Sequence, residues 1–224
     1  MKNLKEKKNK KSDKDFLKEL VDFFIQIGNL KIIKRRGWLL RNVKNPESIA
    51  DHSFRLALMA WILGKEKGLN TKLLLKMALV HDLCEIYAGD ATPYDKILPK
   101  DKKKQKELLK KWPRFLKKDE VQVYLEKRKK EYQSLLKLIS ELSLKRQKEI
   151  VNLWLDVQDG FTKEGRFLRQ LDKVENLLQA LEYYNKDKCF SMEPWWVQVK
   201  ETIDDPLLLE FIEALSQKFY KKKS

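Results

Sequence analysis

Histidine is almost missing from this 224-residue chain: there are two, His52 and His81. Any chemistry that needs imidazole must use one or both. Cysteine is equally sparse. Cys84 and Cys189 lie far apart, which excludes a paired-cysteine metal motif and leaves both thiols as small core or boundary residues. A reducing, cytoplasmic setting is the simplest expectation. With only seven glycines and six prolines, helix formers dominate and the chain reads as all-α. No run of about 18 uncharged apolar residues occurs, so no membrane span is expected. The first residues, Met1 to Lys8, carry no apolar stretch of signal-peptide type. No internal repeat or convincing domain boundary appears, and 224 residues suit one large domain.

What the chain has in excess is positive charge: 49 Lys and Arg against 33 Asp and Glu, a formal net charge of +16. Such a balance attracts nucleic acid, acidic membranes or anionic metabolites. The lysines concentrate in Lys2–Lys14, Lys100–Lys118, Lys127–Lys130 and Lys221–Lys223. These are tails and polar helix faces, so no dedicated nucleic-acid site is expected. Residues 1–12 read as a basic disordered tail, and 13–224 as the folded domain.

Periodicity predicts a first helix over residues 13–31, with Phe16, Leu20, Phe23, Phe24, Ile27 and Leu30 at three-to-four spacing. A connector at 34–44 holds Arg35, Gly37, Trp38 and Arg41. Asn45-Pro46 is a good start for a second helix reaching about Lys67 and stopping at Gly68. Thr71 caps a third that ends near Gly89. A loop at 89–95 precedes helices at 101–112, 119–140, 144–158 and 165–186. A connector bearing Met192 to Trp196 leads to a last helix at 206–220. The lysine-rich stretch 100–118 is the expected mobile segment.

The third helix sets His81, Asp82 and Glu85 among the apolar residues Leu73, Leu74, Leu75, Met77, Ala78, Leu79, Val80 and Leu83. Imidazole and carboxylate are ligands for Zn, Mn, Fe or Co. Polar groups inside such a helix are costly to bury unless paired or metal-bound. An exposed His-Asp stripe is the competing reading. His52 shifts the balance. It lies early in the second helix, His81 lies late in the third, and a short turn around Gly68–Asn70 makes the pair antiparallel. The two histidines are thereby brought together. A further carboxylate cannot be chosen by spacing from Asp156, Asp159, Asp172, Glu175 and Glu182. Asp172 is favoured because it flanks the seam of Leu168, Leu171, Val174, Leu178 and Leu181. A boundary role beside Arg169 is its alternative.

These residues resemble the HD-domain 5′-deoxynucleotidases, metal-dependent phosphatases of deoxyribonucleoside 5′-monophosphates. The likeness runs from about Leu30 to Tyr184. It rests on Arg35-Arg36-Gly37-Trp38 with Arg41-Asn42-Val43, on Pro46 through Ser53, on His81-Asp82-Leu83-Cys84-Glu85 with Gly89-Asp90 and Pro93, and on Gln170-Leu171-Asp172. The resemblance implies a single HD-domain helical bundle. It implies one divalent cation (Mn, Co, Zn, Fe or Mg) on His52, His81, Asp82 and Asp172, with Glu85 and Asp90 beside the reacting phosphate and in position for a second cation. Arg35 matches the phosphate-binding arginine, with Arg36 one register away, and Trp38 lies near the nucleotide. Thr92 and Pro93 shape the loop. The charged insert at Lys100–Lys118 departs from shorter bacterial members and bears on the lid and the substrate range.

The expected reaction is hydrolysis of nucleoside 5′-monophosphates, with 2′-deoxy forms preferred on the strength of the resemblance alone. Other HD-type nucleotide phosphohydrolases and a non-enzymatic nucleic-acid-binding protein are the rival readings. Resemblance, with Trp195, Trp196, Phe211 and Ile212, points to a homodimer or higher oligomer.

Overall fold

The computed structural model describes residues 13–92, 95, 98–111 and 117–220. The basic tail expected at 1–12 and Pro93 of the expected loop lie outside them. Among the described residues every regular element is helical, and the one β-type pairing is an isolated bridge between Lys34 and Ser48. No helix among them is long and apolar enough to cross a membrane.

Helix α1 (Asp13–Ile27) runs into a 3-10 turn (Gly28–Lys31), and α2 (Arg36–Leu39) is one turn inside the expected connector. Helices α3 (Ile49–Glu66) and α4 (Thr71–Val80) follow. They pack as an antiparallel hairpin: Gly64 near the end of α3 meets Leu74 early in α4, while His52 early in α3 meets His81 at the end of α4. Then come α5 (Glu85–Ala88), α6 (Lys102–Leu109) and α7 (Lys117–Ile139). The chain closes with α8 (Leu144–Asp159), α9 (Lys163–Lys186), α10 (Glu193–Thr202) and α11 (Pro206–Tyr220).

Helix α9 is the spine, touching α3, α4, α8, α10 and α11. The reason is in its sequence: Leu168, Leu171, Val174, Leu177 and Leu181 recur every three or four residues and are all fully buried. The close approach of α8 and α9 requires glycine at 165, where a Cβ would lie 2.6 Å from the backbone oxygen of Asp156. A second core cluster joins Ile49, Leu135, Ile139 and Trp154 beneath the α4–α5 turn.

Three expectations need correction. Helix α3 is capped by Ser48 rather than Asn45: Ser48 Oγ accepts from Asp51 N–H, and the Asp51 carboxylate accepts from Ser48 N–H. The Lys34–Ser48 bridge pairs Ser48, whose backbone is extended, and so keeps it out of the helix it caps. The third helix does not run unbroken to Gly89, nor does Thr71 cap it; Asn70 does, through its bond from Leu73 N–H. It opens after Val80 into i→i+3 bonds from Leu83 to Val80 and from Glu85 to Asp82, then resumes briefly as α5. Finally, Met192–Trp196 is no connector. Pro194 occupies the first turn of α10. Trp195 is buried, and Trp196, Phe211 and Ile212 pack half-buried on the same core. These residues are therefore spent on intramolecular packing.

Candidate metal centre and active-site cavity

The α3–α4 hairpin sets two imidazoles edge to face, with ring centroids 5.3 Å apart. His52 Nδ1 meets Glu175 Oε2 at 2.5 Å, and His81 Nδ1 meets the Ala78 carbonyl at 2.8 Å. With both Nδ1 atoms engaged as donors, both Nε2 lone pairs turn inward and lie 3.3 Å apart. Two carboxylates converge on them. Asp172 Oδ1 is 3.2 Å from His52 Nε2, and Asp82 Oδ2 is 3.0 Å from His81 Nε2 and 3.9 Å from His52 Nε2.

Facing lone pairs repel unless a cation or proton lies between them. Donors around an ion with bonds of about 2.0–2.2 Å stand roughly 3.0–3.4 Å from one another, so these separations fit. His52, His81 and Asp172 offer donor atoms that all lie within 4.8 Å of one another, and Asp82 borders them. Two imidazoles with two carboxylates suit Zn, Mn, Fe or Co.

Electrostatics follow from burial and pairing. Burial and Arg35 push the His52 imidazolium down, but the Glu175 and Asp172 carboxylates outweigh them and raise it to about 9. Burial opposes the charge on Asp82 and Asp172. His81 and Arg35 nevertheless hold Asp82 below the usual carboxylate range, and Lys173 and His52 hold Asp172 well below it. Glu85 goes the other way: burial first, then the charges of Asp82 and Asp90, raise it well above the ordinary value.

The centre forms part of the wall of a cavity of about 520 Å³. Glu85 lines it and is only 4% exposed, and its buried Oε2 has no hydrogen-bond partner among the described residues. Gly89, at φ 72°, turns the chain so that Asp90 also lines the cavity, where its Oδ2 accepts from Arg36 N–H at 2.7 Å. Thr92 lines it too, its N–H bonded to Asp95 Oδ2 at 3.0 Å. Arg35 points inward, giving Nη1 to Asp82 at 3.0 Å and Nη2 to Asn176 Oδ1 at 2.9 Å. Arg36 turns outward onto Asp95 at 2.6 Å. Trp38 is part of the wall. Its indole N–H is spent on Glu47 at 2.9 Å, and its ring stacks on Trp195 at 5.3 Å and 8°.

The five carboxylates left open by spacing separate clearly. Asp172 alone reaches His52 Nε2; it bonds Lys173 Nζ at 2.6 Å rather than Arg169. Glu175 takes the opposite nitrogen of His52. Asp156 closes the α8–α9 turn by accepting from Thr162 N–H and Oγ1–H. Asp159 pairs with Arg128, and Glu182 with Arg55.

Asn176, a residue absent from the expected site, bridges Arg35 and Asp172. Its one signal in the sequence is the four-residue spacing from Asp172. Lys127 of α7, expected on a solvated polar helix face, instead lines the cavity 3.3 Å from the buried Glu131. Helix α7 is stapled above α5 by Lys130 Nζ on the Ala88 carbonyl and by Ser134 Oγ on the Cys84 carbonyl. The helix after the lysine-rich insert thus forms one side of the cavity.

A model of the HD domain family matches residues 27–207. The 5′-deoxynucleotidase HDDC2 of Homo sapiens is 33% identical over 199 residues, covering 88% of this chain and 85% of that protein. Its Dictyostelium discoideum counterpart is 35% identical over 170 residues, covering 73% and 76%. Among solved structures, a conserved hypothetical protein from Pyrococcus furiosus superposes with a TM-score of 0.63 at 26% identity, covering 88% of this chain and 99% of that one. An all-helical chain with paired histidines and aspartates at a helical hairpin has the features of an HD domain. The chain belongs to that family, in the group of relatives named 5′-deoxynucleotidase.

Proposed function

We propose that this protein is a metal-dependent phosphomonoesterase that converts nucleoside 5′-monophosphates, preferentially the 2′-deoxy forms, to nucleoside and phosphate. The observation that carries the reading is the pair of facing Nε2 atoms of His52 and His81, with Asp82 and Asp172, beside a nucleotide-sized cavity that His81, Asp82 and Asp172 line. The deoxy preference comes from the names of the relatives.

His52, His81, Asp82 and Asp172 would hold one divalent ion. When bound, such an ion polarises a phosphate oxygen and lowers the pKa of water. Arg35 stays charged and offers its planar fork to the phosphate, with Asn176 setting its angle. Glu85 retains a proton more readily than an ordinary carboxyl and stands beside Asp90. This suits it to give a proton to the leaving 5′-oxygen as the P–O5′ bond breaks and water oxygen bonds to phosphorus. Asp90 would orient that water and accept the proton it loses as its oxygen bonds to phosphorus, and both acids would be the ligands of any second cation. Trp38 and Thr92 shape the nucleotide's side of the cavity.

The reading includes one HD domain over 13–224, a cytoplasmic location and a homodimer. The dimer draws on a different surface from the tryptophans of α10. Phe54, Leu58, Trp61 and Ile62 form an exposed apolar stripe along α3. Light scattering that gives only monomer at micromolar concentration would remove the dimer. The activity is tested by phosphate release from paired deoxy- and ribonucleoside 5′-monophosphates, with and without chelator. A higher kcat/KM for the deoxy member, abolished by chelator, is expected. No release from any monophosphate by metal-loaded protein would overturn the proposal.

A further inference from the structure

We propose that Arg55 is a positioning residue that directs the cation to one face of His52. The inference rests on reading His52 as a metal ligand. His52 is fully buried, and both of its ring nitrogens face carboxylates. Nε2 faces Asp172 and, farther off, Asp82; Nδ1 faces Glu175. Glu47 lies near enough that Glu47, His52 and Glu175 form a second donor group, with all atoms within 4.8 Å of one another. By donor chemistry alone, either face of the ring could take a cation.

The guanidinium of Arg55 occupies the second face. Arg55 stands three residues after His52 on α3, on the same side of the helix. Its Nε and Nη2 meet Glu175 Oε1 at 2.8 and 2.7 Å. Nη2 also gives a hydrogen bond to Gln179 Oε1 at 2.6 Å and lies 4.0 Å from Glu47 Oε2, and Nη1 meets Glu182 Oε2 at 2.7 Å. Glu175, Gln179 and Glu182 sit at i, i+4 and i+7 of α9, so one planar fork spans a whole acceptor face of that helix.

Two consequences follow. Arg55 takes Oε1 of Glu175 and leaves Oε2 to accept the His52 Nδ1 proton. That holds the ring in the tautomer whose Nε2 lone pair faces His81 and Asp172. The same positive charge also offsets two carboxylates, of which Glu175 is wholly buried and Glu47 nearly so. Without it, the Nδ1 face becomes an anionic pocket that competes for the cation, and Glu175 is free to turn. A lysine cannot replace the fork, because one ammonium cannot hold these acceptors in a fixed plane.

The test uses full-length metal-free protein titrated with Co²⁺, read by calorimetry and by the visible absorption of the bound ion. Arg55→Met keeps the apolar stem, and its melting curve reports on folding. It is expected to weaken the first equivalent by about 10–100-fold and to change the cobalt spectrum. Added guanidinium should restore the wild-type spectrum, and Arg55→Lys should not. Glu175→Gln tests the same relay from α9 should Arg55→Met fail to fold, and it should change the spectrum in the same direction. Wild-type affinity and an unchanged spectrum in whichever of the two variants folds would overturn the proposal. A wild-type chain that takes up no cobalt would overturn the metal reading and this inference with it. That result is distinct from intact wild-type binding beside an unaffected variant.

Discussion

The Nε2 atoms of His52 and His81 stand 3.3 Å apart because each ring's Nδ1 is engaged on its far side, by Glu175 and by the Ala78 carbonyl. Two backbone segments more than 20 residues apart in sequence are held to a separation suited to a shared ion. The α3–α4 hairpin is the scaffold, and Asp172 from α9 completes the approach.

Replacing His81 with alanine removes one of the two facing nitrogens. Metal content of purified protein should fall from about one ion per chain, and affinity should drop by more than the roughly 10–100-fold typical of losing an outer partner. Turnover should fall in parallel. Full metal content with full turnover in His81→Ala would show that the ion lies elsewhere.

Glu85→Gln keeps the shape of a buried side chain and removes its proton chemistry. The first ion should remain bound, while kcat drops by about 10²–10⁴-fold. Elemental analysis and steady-state kinetics on one preparation decide this. Loss of metal along with activity would make Glu85 a ligand instead, and an unchanged kcat would exclude it from the reaction.

Arg35 and Arg36 are neighbours with opposite directions. Arg35→Ala should lower kcat/KM by about 100-fold or more, the scale of losing one oriented donor to developing charge. Arg36→Ala, which breaks a half-exposed pair with Asp95, should cost only a fewfold. The reverse order would transfer phosphate binding to Arg36.

Burial and Arg35 oppose the charge on His52, but the Glu175 and Asp172 carboxylates push its imidazolium up to about 9 in the metal-free chain, against 6.5 for the free side chain. A group raised on folding contributes stability that is complete below its unfolded value and lost as pH rises through the folded one. Metal-free protein should therefore lose on the order of 3 kcal/mol between about pH 6.5 and 9. Metal binding has the opposite sign, since the ion displaces that proton: its apparent affinity should rise by up to about tenfold per pH unit over the same range. Denaturant melts with chelator, beside metal titrations at matched pH, test both slopes. Parallel slopes would disprove the linkage.

Much of the centre was legible in the sequence. Apolar spacing places His52 and His81 on neighbouring helices, and a short turn around Gly68–Asn70 makes those helices antiparallel, which brings the histidines together. The seam beside Asp172 favours it among five candidate carboxylates without choosing it uniquely, because a three-to-four period dictates only which side of α9 is buried. Other features depended on distant parts of the chain. Arg35 and Arg36 are equivalent in a connector until the Lys34–Ser48 bridge fixes the backbone and turns the first inward. Asp172 and Glu175 share a helix face, and only the position of the His52 ring assigns one to Nε2 and the other to Nδ1. The i→i+3 turn at 80–85 and the docking of α7 over α5 are likewise settled by the packing of Leu135 and Ile139 of α7 with Leu83, Cys84 and Trp154. Periodicity specifies which residues turn toward a core. The nitrogen or oxygen each polar group finally meets is set by contacts between segments far apart in sequence, and local pattern does not encode these.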